Sequence, residues 1–218
     1  MGLAAEKLLS IASAPLGAPV AKEMVQQELA ALSDSLSAQS ARELAEIWAV
    51  RNGLYAFESA FHLFPVQSDT DLSLASWNAD ELWRSGYGSF AEGWLFFAED
   101  VFGGQFCARK AEFASFEPET GEVEVIATSV EGFFQALLSD YEMLTGQPIA
   151  HAWQKRNGRL RNGYRLEAIR PFVLGGKFSI ENLREQRTDI LLQGRAKLAC
   201  AIRDLPDGAQ LRWPLPTT

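Results

Sequence analysis

Residues 94–116, WLFFAEDVFGGQFCARKAEFASF, hold two apolar runs, Trp94 to Ala98 and Phe106 to Ala108, with a third strand-like segment, Glu112 to Phe116, close behind. Glu99, Asp100 and the Gly103-Gly104 pair separate the first two, so the stretch reads as a β-hairpin extended by one strand. An uninterrupted apolar run suits a strand covered on both faces, which places Trp94 to Ala98 near the middle of a sheet, beneath helices. Gly-Gly alone would make a two-residue turn. Glu99 and Asp100 are poor strand residues, however, and the expected connection is a longer loop from Glu99 to Gly104 with polar tips.

Working back towards the N-terminus, residues 54–90 show no dominant period. LYAFESAFHLFP and DLSLASWNADELW predict short helical turns that lay Phe57, Phe61, Phe64, Trp77 and Trp83 on the sheet. Ser40 and Glu43 form a capping box, and Leu44, Ile47 and Trp48 stripe a helix that Gly53 closes. Val25, Leu29, Leu32 and Leu36 predict an amphipathic helix over 20–33, antiparallel to the one that follows, and residues 3–12 a short first helix stopped by Pro15 and Gly17. The expected division is an N-terminal helical extension, 1–36, and an α+β domain, 37–218.

Working forward, EPETG is a turn, and GEVEVIAT alternates Glu outward with Val inward as a fourth, half-exposed strand. Thr128 and Glu131 make a second capping box for a helix whose apolar face runs from Val130 through Phe133, Phe134, Leu137, Leu138 and Tyr141 to Leu144. Ile149 to Arg156 is a shorter helix. Two Asn-Gly pairs in RNGRLRNGYRL mark turns around Leu160, PFVLGGKF is strand or extended loop, residues 189–204 are helical, and AQLRW is a short final strand. The fold class is α+β, with one mixed or mainly antiparallel sheet, helices packed around it and N-terminal helices before it.

A chain of 24.1 kDa buries ample surface for one core, and no segment reaches the roughly 18 uncharged apolar residues of a membrane helix. Lys7 with LLSIASA imitates a signal peptide but is too short, and Glu6 stands where a myristoylation signal wants Ser or Thr. A cytoplasmic location is expected, with Cys107 and Cys200 as buried free thiols. The net charge of −8 is uneven: residues 1–150 carry −15 and residues 151–218 carry +7. An acidic surface repels nucleic acid and favours fast encounter with a basic partner, although it also serves solubility.

Signatures of common chemistry are missing. His62 and His151 lie far apart and read as structural, and there is no Cys-x-x-Cys, P-loop or Gly-x-Ser-x-Gly. Gly86, Gly88 and Gly93 lack the flanking strand and helix of a dinucleotide loop. Glu99 and Asp100, adjacent on a strand, point to opposite faces and do not converge as acid and base. KRNGRLRNGYR has the charge to grip phosphate, but a solvated loop or an internal partner for the acidic half fits better. No catalytic, metal-binding or cofactor-binding constellation is expected.

FFAEDVFGGQF, FEPETGE, the long helix with Trp153 beyond it, PFVLGG with NL downstream, and AIRDLPDG follow one another in an order that resembles the SUKH superfamily, over roughly residues 40–213. The resemblance implies an α+β fold with structural turns at Gly103 and Gly121, a bend at Gly175-Gly176, and no active site common to the members. It also implies a protein-binding role: many bacterial members are immunity proteins that neutralise toxin domains, often nucleases, and fungal members are interaction scaffolds. The expected function is a non-catalytic immunity-type module with a basic protein partner, contacting neither nucleic acid nor membrane. Glu99, Asp100, Glu119, Glu122 and Glu124 are the candidate partner-binding residues. The alternatives are a regulatory scaffold, or a small-molecule binder or enzyme with a pocket near Glu99, Asp100 and Tyr87.

Overall fold

A computed structural model describes residues 1–67, 72–206, 208, 209 and 211. Six strands pair in chain order as one antiparallel meander: β1 (Leu54–Ala56), β2 (Phe61–Leu63), β3 (Leu95–Glu99), β4 (Gln105–Arg109), β5 (Glu112–Phe116) and β6 (Val123–Ala127). The chain is α+β, as expected, and β3 lies inside the sheet with all five residues buried. The register of β3 on β4 slips between Phe96 and Ala98, so Phe97 is the extra residue of a bulge. Phe96 packs edge-on to Trp83 at 4.8 Å, and Phe97 packs edge-on to Phe133 at 5.3 Å. Each ring meets a different helical layer. This is why the run is apolar without a break.

One layer is α5 (Val130–Ser139), whose Phe133 also meets Phe106 and Phe113. The other is built from α4 (Leu74–Trp77) and two 3-10 turns at Arg84–Gly86 and Gly88–Phe90, through Trp77, Trp83 and Tyr87. The helices α1 (Leu3–Ile11), α2 (Lys22–Leu32) and α3 (Ala38–Val50) pack into the same core through Leu8, Val25, Leu29 and Trp48. The Ser13 amide donates to the Tyr55 carbonyl at 2.8 Å, along the edge of β1. Residues 1–36 are therefore built into the domain.

Several local expectations are corrected. Glu99 ends β3 and the loop starts at Asp100, because Glu99 finds a buried partner described below. Leu54–Ala56 and Phe61–Leu63 are strands rather than helical turns; three residues are too few to display a period. The caps sit at Ser37, which accepts from the Ser40 amide, and Ser129, which accepts from the Gly132 amide, one of several Ser or Thr in each neighbourhood able to do so. The helix after β6 breaks at Asp140 and resumes as α6 (Tyr141–Thr145), followed by α7 (Gln147–Asn157) with Pro148 in its first turn. In β6, Val125 is 49 % exposed, since a second register shift opposite Phe113 and Ala114 upsets the alternation.

The basic third also contains a second sheet, the ribbon of β7 (Tyr164–Ala168) and β8 (Leu183–Arg187), where turns and extended loop were expected. PFVLGGKF forms a 3-10 turn at Phe172–Leu174, and α8 (Thr188–Ile202) completes the fold. Cys200 is exposed, against expectation, while Cys107 is buried. The strand expected over 209–213 lies outside the described residues, Ala209 and Leu211 apart. Among the described residues no helix is long and apolar enough to cross a membrane.

Candidate functional site

A meander returns alternate turns to the same end of the sheet, so the β1–β2, β3–β4 and β5–β6 connections gather there. The C-terminal third seals this end. The Leu166 amide of β7 donates to the Val101 carbonyl at 2.7 Å, and Val101, Leu166, Ala168, Trp153 and Leu160 share a second apolar cluster. Gly103 makes the close approach possible: its φ is +84°, and a Cβ there would lie 2.9 Å from Leu191 of α8. Gly121 and Gly175 also take positive φ.

Beneath that seal lies a buried ion cluster. One Glu99 carboxylate oxygen lies 2.9 Å from His62 Nδ1 and 2.9 Å from an Arg165 guanidinium nitrogen; the other accepts from the Thr188 hydroxyl at 2.6 Å. Glu99 and Arg165 are fully buried, and His62 and Thr188 nearly so. Burial alone would raise the Glu99 pKa, but Arg165, His62 and Thr188 together hold it below the ordinary carboxylate value. Arg165 thus brings one of the basic run's charges to the acidic half as an internal partner. Arg195, from α8 rather than that run, lies 3.5 Å from Glu119, while Arg161 of the run pairs locally with Glu185 at 2.6 Å.

The β3–β4 loop and the β5–β6 hairpin border a cleft of about 430 Å³. Asp100, Glu117, Glu122 and Glu124 line it together with Gln105, Ser115 and apolar groups, and no Lys or Arg does. Asp100 Oδ1 accepts from the Phe102 and Gly104 amides at 2.7 and 2.8 Å, which locks the loop and aims the carboxyl at the cleft floor. Desolvation first, and then the Glu117 charge, push the Asp100 pKa well above its ordinary value. The cleft walls likewise raise Glu117, and Glu119 beside it adds to the effect. A cation supplied from outside would favour the ionised forms of Asp100 and Glu117 against this desolvation. A smaller recess of about 60 Å³ continues from the cleft past Asp100 and Glu117 to Glu119, Arg195, Phe102, Phe172 and Phe178, so a cation stands behind the cleft though not in its lining.

Of the candidate residues, Asp100, Glu122 and Glu124 meet at this cleft, and Glu122 and Glu124 are exposed. Glu119 is buried behind it, where it accepts from the Val173 amide at 2.8 Å. Glu99 is out of reach of any partner. Tyr87 is buried too, with its hydroxyl on the Pro118 carbonyl at 2.8 Å, so Glu99, Asp100 and Tyr87 form no common pocket. Sequence reasoning missed Glu117, although it is the first residue of the EPETG turn, and could not pair Arg165 with Glu99, which the fold alone brings together. His62 faces the buried Glu99, and His151 lies 2.7 Å from Glu58 at the surface. Among the described residues no group of three His, Cys, Asp or Glu is placed to hold a metal.

No protein-family model matches this chain, and no curated protein matches it. Among solved structures it is similar to a crystal structure of Atu4351 from Agrobacterium tumefaciens, with a TM-score of 0.59, 12 % identity and 88 % coverage of each chain. At that identity the likeness concerns the fold, over nearly the whole of both chains.

Proposed function

We propose that the chain is a non-catalytic protein-binding module of the immunity type, which neutralises a basic toxin domain, such as a nuclease, by seating basic side chains in the Asp100–Glu124 cleft. The observation that carries this reading is the cleft itself: four carboxylates and no cation line it, and Asp100 and Glu117 are held above their ordinary pKa by desolvation first and by a neighbouring carboxylate second. A Lys or Arg side chain entering there supplies a cation that the cleft's own lining lacks. Electrostatic attraction of this kind sets association rate and specificity. The acidic first 150 residues and the resemblance to SUKH proteins support the same reading.

The test is capture of partners from the native organism on the immobilised full chain, at about 50 mM and about 300 mM salt, where screening lengths differ by more than twofold. A Glu122→Lys/Glu124→Lys variant runs alongside. Both side chains are exposed, so the variant keeps its thermal midpoint. The expected result is one basic, toxin-like protein that is lost at the higher salt, lost by the variant, and harmless to cells that carry the wild-type chain. Capture of several housekeeping proteins, or of a partner indifferent to the double variant, overturns the proposal.

A further inference from the structure

A second cavity, larger than the acidic cleft, lies elsewhere, and its lining has the opposite character. It is a groove of about 630 Å³ between the β1–β2 turn and α7. Tyr55, Phe57 and Ile11 supply apolar wall, and Lys155 and Arg159 supply positive charge. The lining's lone carboxylate, Glu58, is already engaged by His151 at 2.7 Å. Lys155 and Arg159 are exposed and make no ion pair among the described residues, whereas Arg156, Arg161, Arg184 and Arg187 around them all do. Lys155 also lies in the last turn of α7, where a cation offsets the helix dipole; Arg159 lies beyond the cap, where that account does not reach.

The wall opposite α7 is held in an unfavourable backbone conformation. Phe57, Glu58 and Ser59 take φ of 51°, 57° and 69°, three consecutive non-glycine residues in the left-handed region. Such a residue costs roughly 1–2 kcal/mol, and strain of this kind collects where a fixed shape is used. Neighbouring elements impose it: the Gln154 side-chain amide donates to the Glu58 carbonyl at 2.8 Å, and the Phe57 ring stacks on Tyr141 at 4.7 Å. The groove is therefore built before any ligand arrives.

We propose that this groove binds an amphiphilic anion, an apolar or aromatic body bearing a phosphate or carboxylate, with the anionic group between Lys155 and Arg159 and the body against Tyr55, Phe57 and Ile11. The groove faces a different class of ligand from the acidic cleft, and the inference stands whether or not the cleft binds a toxin.

The experiment is titration of the isotopically labelled full chain with phenyl phosphate, followed by amide chemical shifts, with inorganic phosphate and phenol as separate arms. Saturable shifts confined to Ser13, residues 55–59 and residues 151–159, with a Kd below about 1 mM, are expected. Phenol should fail to saturate, and inorganic phosphate should bind at least about tenfold more weakly, since each lacks one half of the match. Lys155→Glu/Arg159→Glu, both exposed, should weaken phenyl phosphate at least about tenfold while the thermal midpoint falls by no more than about 4 °C, the share expected from reversing a charge at the end of α7. No saturation by about 10 mM, shifts centred elsewhere, or equal binding by the double variant overturns the proposal.

Discussion

Glu99 behaves as a core residue that happens to be charged. Replacing it by Gln keeps the shape and the Thr188 contact but leaves the Arg165 guanidinium buried without a counter-charge. Urea midpoints should fall by about 3–5 kcal/mol for Glu99→Gln, and adding Arg165→Met should recover part of that loss, because the stranded charge carries most of the cost. Linkage gives the pH dependence its sign. Glu99, with a lowered folded pKa, contributes stability that is present above the ordinary carboxylate value of about 4.3 and lost as pH falls through its folded value. Asp100, with a raised pKa, contributes stability that is full below about pH 4 and lost as pH rises through its folded value. Asp100→Asn keeps the oxygen that caps the loop. Its stability should therefore decline less than that of the wild type as pH rises above about 4, as followed by urea midpoints across pH. The acidic cleft was half legible in the sequence: the residue types and their crowding on two turns are local facts. Which carboxylate goes inside is not local, since it depends on Arg165 and Thr188 arriving from the far end of the chain.

At the scale of elements, the strands with the most residues and the strongest apolar character could be read directly. β3 to β6 and α5 announce themselves by runs and period, whereas β1 and β2 are three residues each and borrow their identity from pairing with β3. The β7–β8 ribbon was hidden for another reason: RLE and REQ carry charge on strands whose exposed residues form ion pairs, such as Arg184 with Glu167 at 2.7 Å. Two elements allow clean tests. Ser129→Ala removes the acceptor for the Gly132 amide at the start of α5 and should cost about 1 kcal/mol in chemical unfolding. Gly103→Ala meets both a positive φ and the Leu191 side chain, and should cost about 2 kcal/mol or more by the same measurement. A smaller loss would mean that α8 shifts easily away from the β3–β4 loop.

Across the whole molecule, the sheet and the C-terminal third are joined by a buried ion pair and the Leu166–Val101 hydrogen bond, with no separable boundary between them. Unfolding should therefore be a single transition. Trp153 reports on the second apolar cluster, and Trp48, Trp77 and Trp83 report on the main core. Fluorescence of a Trp153→Phe variant should give the same urea midpoint as far-UV circular dichroism of that variant, and two separated midpoints would refute this coupling. The order of the strands has a further consequence in time. Every pair in the main sheet joins neighbours in sequence, so the meander can assemble as soon as β6 has left the ribosome. Arg165 follows the end of β6 only after dozens of further residues, roughly 2–8 s of synthesis at ~5–20 residues per second. Throughout that interval the nascent sheet carries a carboxylate at its open end that it cannot bury. The final closure of the protein waits for Arg165, and for Thr188 behind it.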